Sequence, residues 1–310
     1  MEAADFLGLY EAGYRNFKGI NLSGVDLSNQ ILVDIDLSAA NLTGANLSRT
    51  FLTKANLSGA QLTRATCAYA KLSKAQLNGA DLTKANLKGV FGVQASLVEA
   101  AMSGANLAHA NLRKAYLDGG NLCGANLTGV NLREASLNDA NLAWANLSGG
   151  RLYGAALTRA QFNGVDFSNA FLNGLNFRGR DLAGVRFVQA RLKGADLSGA
   201  NLSAANLMEA NLQRAKFTAA NLTGARLERA SVRLADFSRA KMNRSDLSDC
   251  DLRDAELAGA ELMGAELSNA RLPLVDRSGD RAAVQDRALW GNRGAISADP
   301  LGLAQLQSAS

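Results

Sequence analysis

Histidine is almost missing from this 310-residue chain, where His109 stands alone. A single imidazole with no Cys or second His near it cannot assemble a usual metal site or a nucleophile–base pair. Cysteine is scarce as well, and Cys67, Cys123 and Cys250 are three in number and widely separated. That excludes a disulfide framework and points to a reducing compartment. The opening Met-Glu-Ala-Ala-Asp is acidic and unlike a secretory leader, so the expected location is cytoplasmic. Although 47% of residues are hydrophobic, no stretch approaches the ~18 uninterrupted apolar residues of a membrane helix. No glycine-rich phosphate loop precedes a helix. Nothing interrupts the sequence register to build a lid or pocket. These gaps argue against an enzyme, a cofactor, a bound metal, a small-molecule substrate or membrane insertion.

What the chain does have is a period of five. An apolar residue returns at every fifth position from Leu22 to Leu272, through Leu27, Leu32, Leu37, Leu42 and Leu47, for 51 consecutive centres. Two residues before most of them stands Ala, as at Ala45, Ala55, Ala85, Ala125 and Ala260. Five steps rotate an α-helix by about 140°, which would scatter the leucines around it. On a straight strand, an odd period would send successive leucines to opposite faces. The pattern makes sense if each unit is a short side followed by a corner, with Ala and Leu pointing inward together. The small polar residues flanking each Leu suit corners, and the recurrent Gly permits tight turns. A chain that bends the same way every five residues winds into a coil, and no coil can bury its leucines alone.

Runs such as Ala-Asn-Leu-Ser-Gly at 55–59 and 145–149, Ala-Asn-Leu-Thr-Gly at 125–129 and Ala-Asp-Leu-Ser-Gly at 195–199 resemble pentapeptide-repeat proteins. The resemblance implies an all-β solenoid, a right-handed quadrilateral parallel β-helix with one coil per twenty residues and short helical caps at both ends. Its coils would lie ~4.8 Å apart, in a rod on the order of 60 Å long. The expected organisation is an N-terminal helical cap over 1–16, the β-helix over 17–272, a C-terminal capping helix over 273–291 and a flexible tail over 292–310. Phe6, Leu7, Leu9 and Tyr10 are placed to cover the first coil, and Asp280 to cap a helix running through Arg281 to Trp290. Cys67 at a Leu place and Cys250 at an Ala place should be buried, while Cys123 should face outward. Gly92, at a centre, leaves a gap for Phe91 or Val93 to fill. Phe162, Phe167, Phe177 and Phe187 at centres, with Arg180 at an inward place, predict a bulge or a widened coil, or else a patch where a partner docks.

With twenty residues per coil, the outward residues sort onto four sides. The side centred on Leu32, Leu52, Leu72 and Leu112 carries Lys54, Lys71, Lys74, Arg113, Lys114, Arg133, Arg151, Arg191, Lys193, Arg214, Arg233, Arg253 and Arg271. Only Asp34, Glu134, Asp251 and Asp254 oppose them. The overall charge of +5 therefore conceals one strongly basic side. Ile31, Phe51, Phe91, Tyr153 and Phe171 stand on it too, and aromatics among arginines suit a protein-binding surface. The resulting expectation is a scaffold or linker that grips an acidic protein assembly.

The stretch from Leu9 to Leu22 resembles the openings of cyanobacterial pentapeptide-repeat proteins. That resemblance implies phycobiliproteins as a specific partner, in a phycobilisome linker at the cytoplasmic side of the photosynthetic membrane. Well-known relatives mimic DNA and protect type II topoisomerases such as gyrase, but a mimic calls for a negative rod. Direct nucleic-acid binding is a further alternative, since the basic side suits phosphates without offering a reading element. Dimerisation through one end is compatible with the same residues.

Overall fold

The computed structural model describes residues 1–272. The C-terminal helix expected over 273–291 and the tail over 292–310 lie outside the described residues. The chain divides into two compact units, Met1–Phe171 and Leu172–Ser310. Inside each unit, residues twenty apart pair as parallel bridges, such as Asn21 with Asn41 and Asn41 with Gln61 in the first, and Asn201 with Asn221 in the second. Twenty residues per turn and one corner every five give a parallel coil with four sides. Each side is a single bridge wide rather than a strand, because the corner returns before a longer ladder can form.

The five backbone N–H groups of one repeat explain why the coil closes. In Asn41–Ala45, the N–H of Asn41 donates to Ile20 O at 2.8 Å, and that of Leu42 to Gln61 O at 2.7 Å. Gly44 donates to Thr63 O at 3.0 Å, and Ala45 back to Leu42 O at 3.0 Å, which closes the turn. The fifth donor, Thr43, is met by the side-chain Oδ1 of Asn41 at 3.1 Å. No donor is left over, as a regular fold requires. The Asn or Asp before each Leu is thus more than a small corner residue. It sits at the bridge and its oxygen caps the turn that follows.

Turn geometry sets a second rule. From Gly19 to Asn269, the residue two places after each centre has φ between 54° and 72°, and thirty of these residues are not glycine. A positive φ at the third residue of a four-residue turn marks type II. Left-handed backbone is hardest on β-branched side chains, and none of these places holds Val, Ile or Thr. Glycine at such a corner also gives room. A Cβ on Gly89 would lie 2.5 Å from the Tyr69 ring, and one on Gly164 would run into the Trp144 ring. Each ring therefore lies over the bare corner one coil later.

The core is a column of Leu and Ala, with Leu22, Ala45, Leu132, Leu207 and Ala220 all fully buried. Each buried Leu contributes roughly 1.5–3 kcal/mol relative to exposure. Phe162, Phe167, Phe177 and Phe187 fill centre places with exposures of 1% or less. One coil apart, Phe217 and Phe237 stack with centroids 4.8 Å apart. Arg180 does not make a bulge: its N–H donates to Phe177 O at 3.0 Å and its carbonyl accepts from Asn201 at 2.9 Å, the regular pattern. Its side chain is half-buried, so the long stem can lead the charge outward. The gap at Gly92 is closed by Leu112, whose Cδ2 would lie 3.0 Å from an added Cβ, while Phe91 stays exposed.

Cys67 and Cys250 are buried, and burial pushes both thiols up to about 12. Cys123 is half-buried. At the N-terminus, α1 spans Ala3–Glu11. Phe6 is buried edge-on against Phe17 at 4.7 Å, and the Tyr10 hydroxyl donates to Val33 O at 3.0 Å. Leu9, expected to help cover the first coil, is instead exposed.

Candidate partner-binding face

Because the bridges hold the register at twenty within each unit, residues on one side by sequence are on one side in space. The first unit places Lys54, Lys71, Lys74, Arg113, Lys114, Arg133 and Arg151 together, all exposed, with Phe51, Phe91 and Tyr153 exposed beside them. Ile31 joins them at 65% exposure, while Phe171 is only half-buried rather than projecting. Arg151 lies over that ring, 5.8 Å from its centroid, and Lys71 lies 5.6 Å from the centroid of Phe91. The second unit places Arg191, Lys193, Arg214 and Arg233 together, again exposed.

The few acids on this side are already engaged, Asp34 excepted. Glu134 accepts from Arg113 at 2.8 Å and meets Lys114 at 3.4 Å, and the Arg113 hydrogen bond above all lowers its carboxyl below the ordinary value. Arg233 pairs with Asp254 at 2.9 Å, and Arg253 with Asp251 at 2.7 Å. Such exposed pairs add little stability, but they use up the negative charge. Among the described residues, Lys54, Lys71, Lys74, Arg133 and Arg151 in the first unit meet no carboxylate, nor do Lys193 and Arg214 in the second.

Two residues missed by the side-by-side sorting belong to the first unit's face. Arg49 and Tyr69 occupy the neighbouring corner, two residues before Phe51 and Lys71 across the buried Thr50 and Ala70. With Asn29, Phe51 and Lys71 they line a depression of about 440 Å³. The signal was in the register, since a corner residue borders two sides. His109 is exposed on another side and lies against the bare corner of Gly129. No group of three metal-ligating side chains occurs among the described residues, and no helix there is long and apolar enough to cross a membrane.

Comparison with known families finds Pentapeptide repeats between residues 20 and 207 and a Pentapeptide repeat region over 190–267. The chain belongs to the pentapeptide-repeat family. Its members fold as right-handed quadrilateral β-helices, in keeping with the four-sided parallel coil of each unit. One similar solved structure is HetL, a pentapeptide-repeat protein involved in heterocyst differentiation regulation from the cyanobacterium Nostoc sp. strain PCC 7120. It is 33% identical over 88% of this chain and 97% of HetL, with a TM-score of 0.28. Rfr23 from the cyanobacterium Cyanothece 51142 is 25% identical over 54% of this chain and 97% of its own, with a TM-score of 0.25. A trypsin-treated form of QnrB1, a plasmid-mediated fluoroquinolone resistance protein, is 21% identical over 53% and 91%, with a TM-score of 0.36. No curated protein matches the chain by sequence.

Against the pentapeptide-repeat rule, the basic side stands out once more. Between Leu22 and Leu272, Asn or Asp precedes the centre in only four of its thirteen repeats, against five to nine on each other side. Ile31, Phe51, Lys71, Phe91, Arg151, Phe171, Arg191, Ser231 and Arg271 take the place instead. Each such change removes the repeat's own turn cap, a hydrogen bond worth about 0.5–1.5 kcal/mol. Departures from a structural rule tend to gather where function needs other side chains.

Proposed function

We propose that this pentapeptide-repeat protein is a non-enzymatic scaffold that holds acidic partner proteins along its basic, aromatic-studded side. One observation carries the reading. The side that lacks its structural Asn and Asp residues is also the side that exposes Phe51, Phe91 and Tyr153 and keeps most of its cations unmatched. Exposed rings beside arginines supply the anchors of protein interfaces, and complementary charge speeds encounter and selects partners. The cyanobacterial resemblance makes phycobiliproteins the specific candidate partner, with a linker role in the antenna. A DNA mimic that protects gyrase is the second reading, and the net charge of +5 opposes it. Direct binding of nucleic acid is the third.

Affinity capture at low salt, followed by mass spectrometry, distinguishes the three readings. The expected catch is an acidic multisubunit assembly, whereas a topoisomerase or nucleic acid would favour one of the others. Purified phycobilisomes should contain the protein if the antenna is its place, and its absence from them would eliminate that partner. Charge reversal at Arg151, Arg191 and Lys193 should weaken capture, and unchanged capture would refute the face.

A further inference from the structure

The missing caps leave something behind. Where Asn111, Asn131 and Asn211 precede their centres, their Oδ1 atoms accept from the N–H groups of Arg113, Arg133 and Gln213 at 3.2–3.3 Å. Lys193 borrows the same bond from Asn173 one coil earlier, at 3.1 Å. Val33, Thr53, Ser73 and Val93 follow Ile31, Phe51, Lys71 and Phe91, which offer no such oxygen. Among the described residues these four N–H groups meet no protein acceptor, and all four residues are half-buried at the surface. On the other three sides uncapped corners stand singly. Thr63, Ala68, Asn78 and Ser103 each lie between capped coils. Among the described residues, only the basic side of the first unit presents four open donors in consecutive coils.

The surroundings of that row favour oxygen anions. Residues 31–94, which carry the row, contain seven basic residues, Arg49, Lys54, Arg64, Lys71, Lys74, Lys84 and Lys88, against three acids, Asp34, Asp36 and Asp81, of which Asp34 stands at the row's first turn. On the far side of Phe51 and Lys71 lies the depression of about 440 Å³ that Arg49 and Tyr69 help to line. It is open because Tyr69 lies over the bare corner of Gly89 and Lys71 leans toward Phe91, both toward the following coil. Carboxylates bind backbone N–H groups through short, charge-assisted hydrogen bonds. The row therefore calls for a ladder of carboxylates with an apolar residue set to one side.

Spacing decides what carries the ladder. Four coils span about 14 Å at the ordinary strand separation. Carboxylates at positions i, i+3, i+7 and i+10 of an α-helix span about 15 Å. Four on one face of an extended strand would span about 20 Å and lose register after the second. A helix ~10 Å across also covers the N–H row and the row of Phe51 and Phe91 together. We propose that this surface binds an acidic amphipathic α-helix of a partner protein, whose carboxylates occupy the places of the missing Asn and Asp oxygens. The proposal rests on the partner-binding reading of the same side and specifies the element that binds.

The test uses the full chain and a fluorescein-labelled helical peptide of ~18 residues, with Glu at i, i+3, i+7 and i+10 and leucines on the adjoining stripe. Fluorescence anisotropy should show it binding about tenfold more tightly than a peptide of equal composition with Glu at i, i+2, i+4 and i+6. The decisive variants are Phe51→Asn/Phe91→Asn and Phe51→Ala/Phe91→Ala. Both remove the rings, but only Asn returns an oxygen to the donors of Thr53 and Val93. The Asn pair should melt at a higher temperature than the Ala pair and yet bind the peptide about tenfold more weakly. Equal affinity of the two pairs, equal binding of the two peptides, no binding, or displacement of the peptide by a single-stranded oligonucleotide at lower concentration would each overturn the proposal. Charge reversal at Arg151, Arg191 and Lys193 lies outside these four coils and should leave peptide affinity within about twofold. If it abolishes partner capture while the Asn pair has no effect, the face stands and the helix ladder falls.

Discussion

At the scale of the residue, the left-handed corner is the strictest constraint on this chain. Ala219, exposed at φ 56° and bearing only a methyl group, isolates it. Ala219→Val should lower stability in urea unfolding by about 1–2 kcal/mol, because a β-branched residue fits that backbone worst. Ala219→Gly should lie within about 1 kcal/mol of the parent, relief of strain offsetting lost entropy. A harmless valine would show that the corner backbone is not as described. Leu207, fully buried, should behave as a core residue, with Leu207→Ala costing about 2–5 kcal/mol. The leucines, the alanines and the burial of Cys67 and Cys250 were legible in the sequence, because the period alone assigns inside and outside. The corner rule was not: thirty non-glycine residues among the described ones carry a positive φ, and nothing in the identity of Arg229 or Leu234 announces it. Gly92 misled for a related reason, since Leu112 from the next coil, and not a chain neighbour, fills its gap.

At the scale of the repeat, the capping oxygen couples stability to pH. Asp26, Asp36 and Asp81 have carboxyls held below the ordinary value of 3.8, by the Ser28 backbone N–H first at Asp26, and by the Ser38 and Thr83 hydroxyls first at the other two. Carboxyls whose folded pKa is depressed contribute stability that is fully present above the unfolded value. That contribution is lost as pH falls below 3.8 through the folded values. Melting temperature should therefore drop on acidification in that window. Replacing the three by Asn preserves an acceptor without a titrating proton, so the triple variant should lose less of its melting temperature between about pH 6 and pH 2. An identical drop would show that these caps do not hold the charge-bearing form. A preference for Asn and Asp at this place was visible in the sequence, whereas its purpose needed the hydrogen bonds between coils. Arg180 shows the converse, an alarming residue in the sequence that sits in a regular turn.

At the scale of the whole molecule, the chain is a pentapeptide-repeat protein, and each of its two units gathers cations on one side of its own coil. That side was legible before any coordinates, because a twenty-residue coil converts sequence position into direction. Arg49 and Tyr69 were not, since they belong to a corner that two sides share. The four open N–H groups were also hidden, because an absent cap is visible only after the bonds of its neighbours are known. The central claim is that these cations and rings capture acidic proteins. Its most direct measurement is the affinity for a purified acidic phycobiliprotein as a function of salt, for the parent and for Arg151→Glu/Arg191→Glu/Lys193→Glu. The account predicts binding that weakens steeply as salt rises toward about 0.15 M and beyond, and a charge-reversed protein that binds about tenfold less well at low salt with a shallower dependence. Affinity that is indifferent to salt and equal in the two proteins would contradict it.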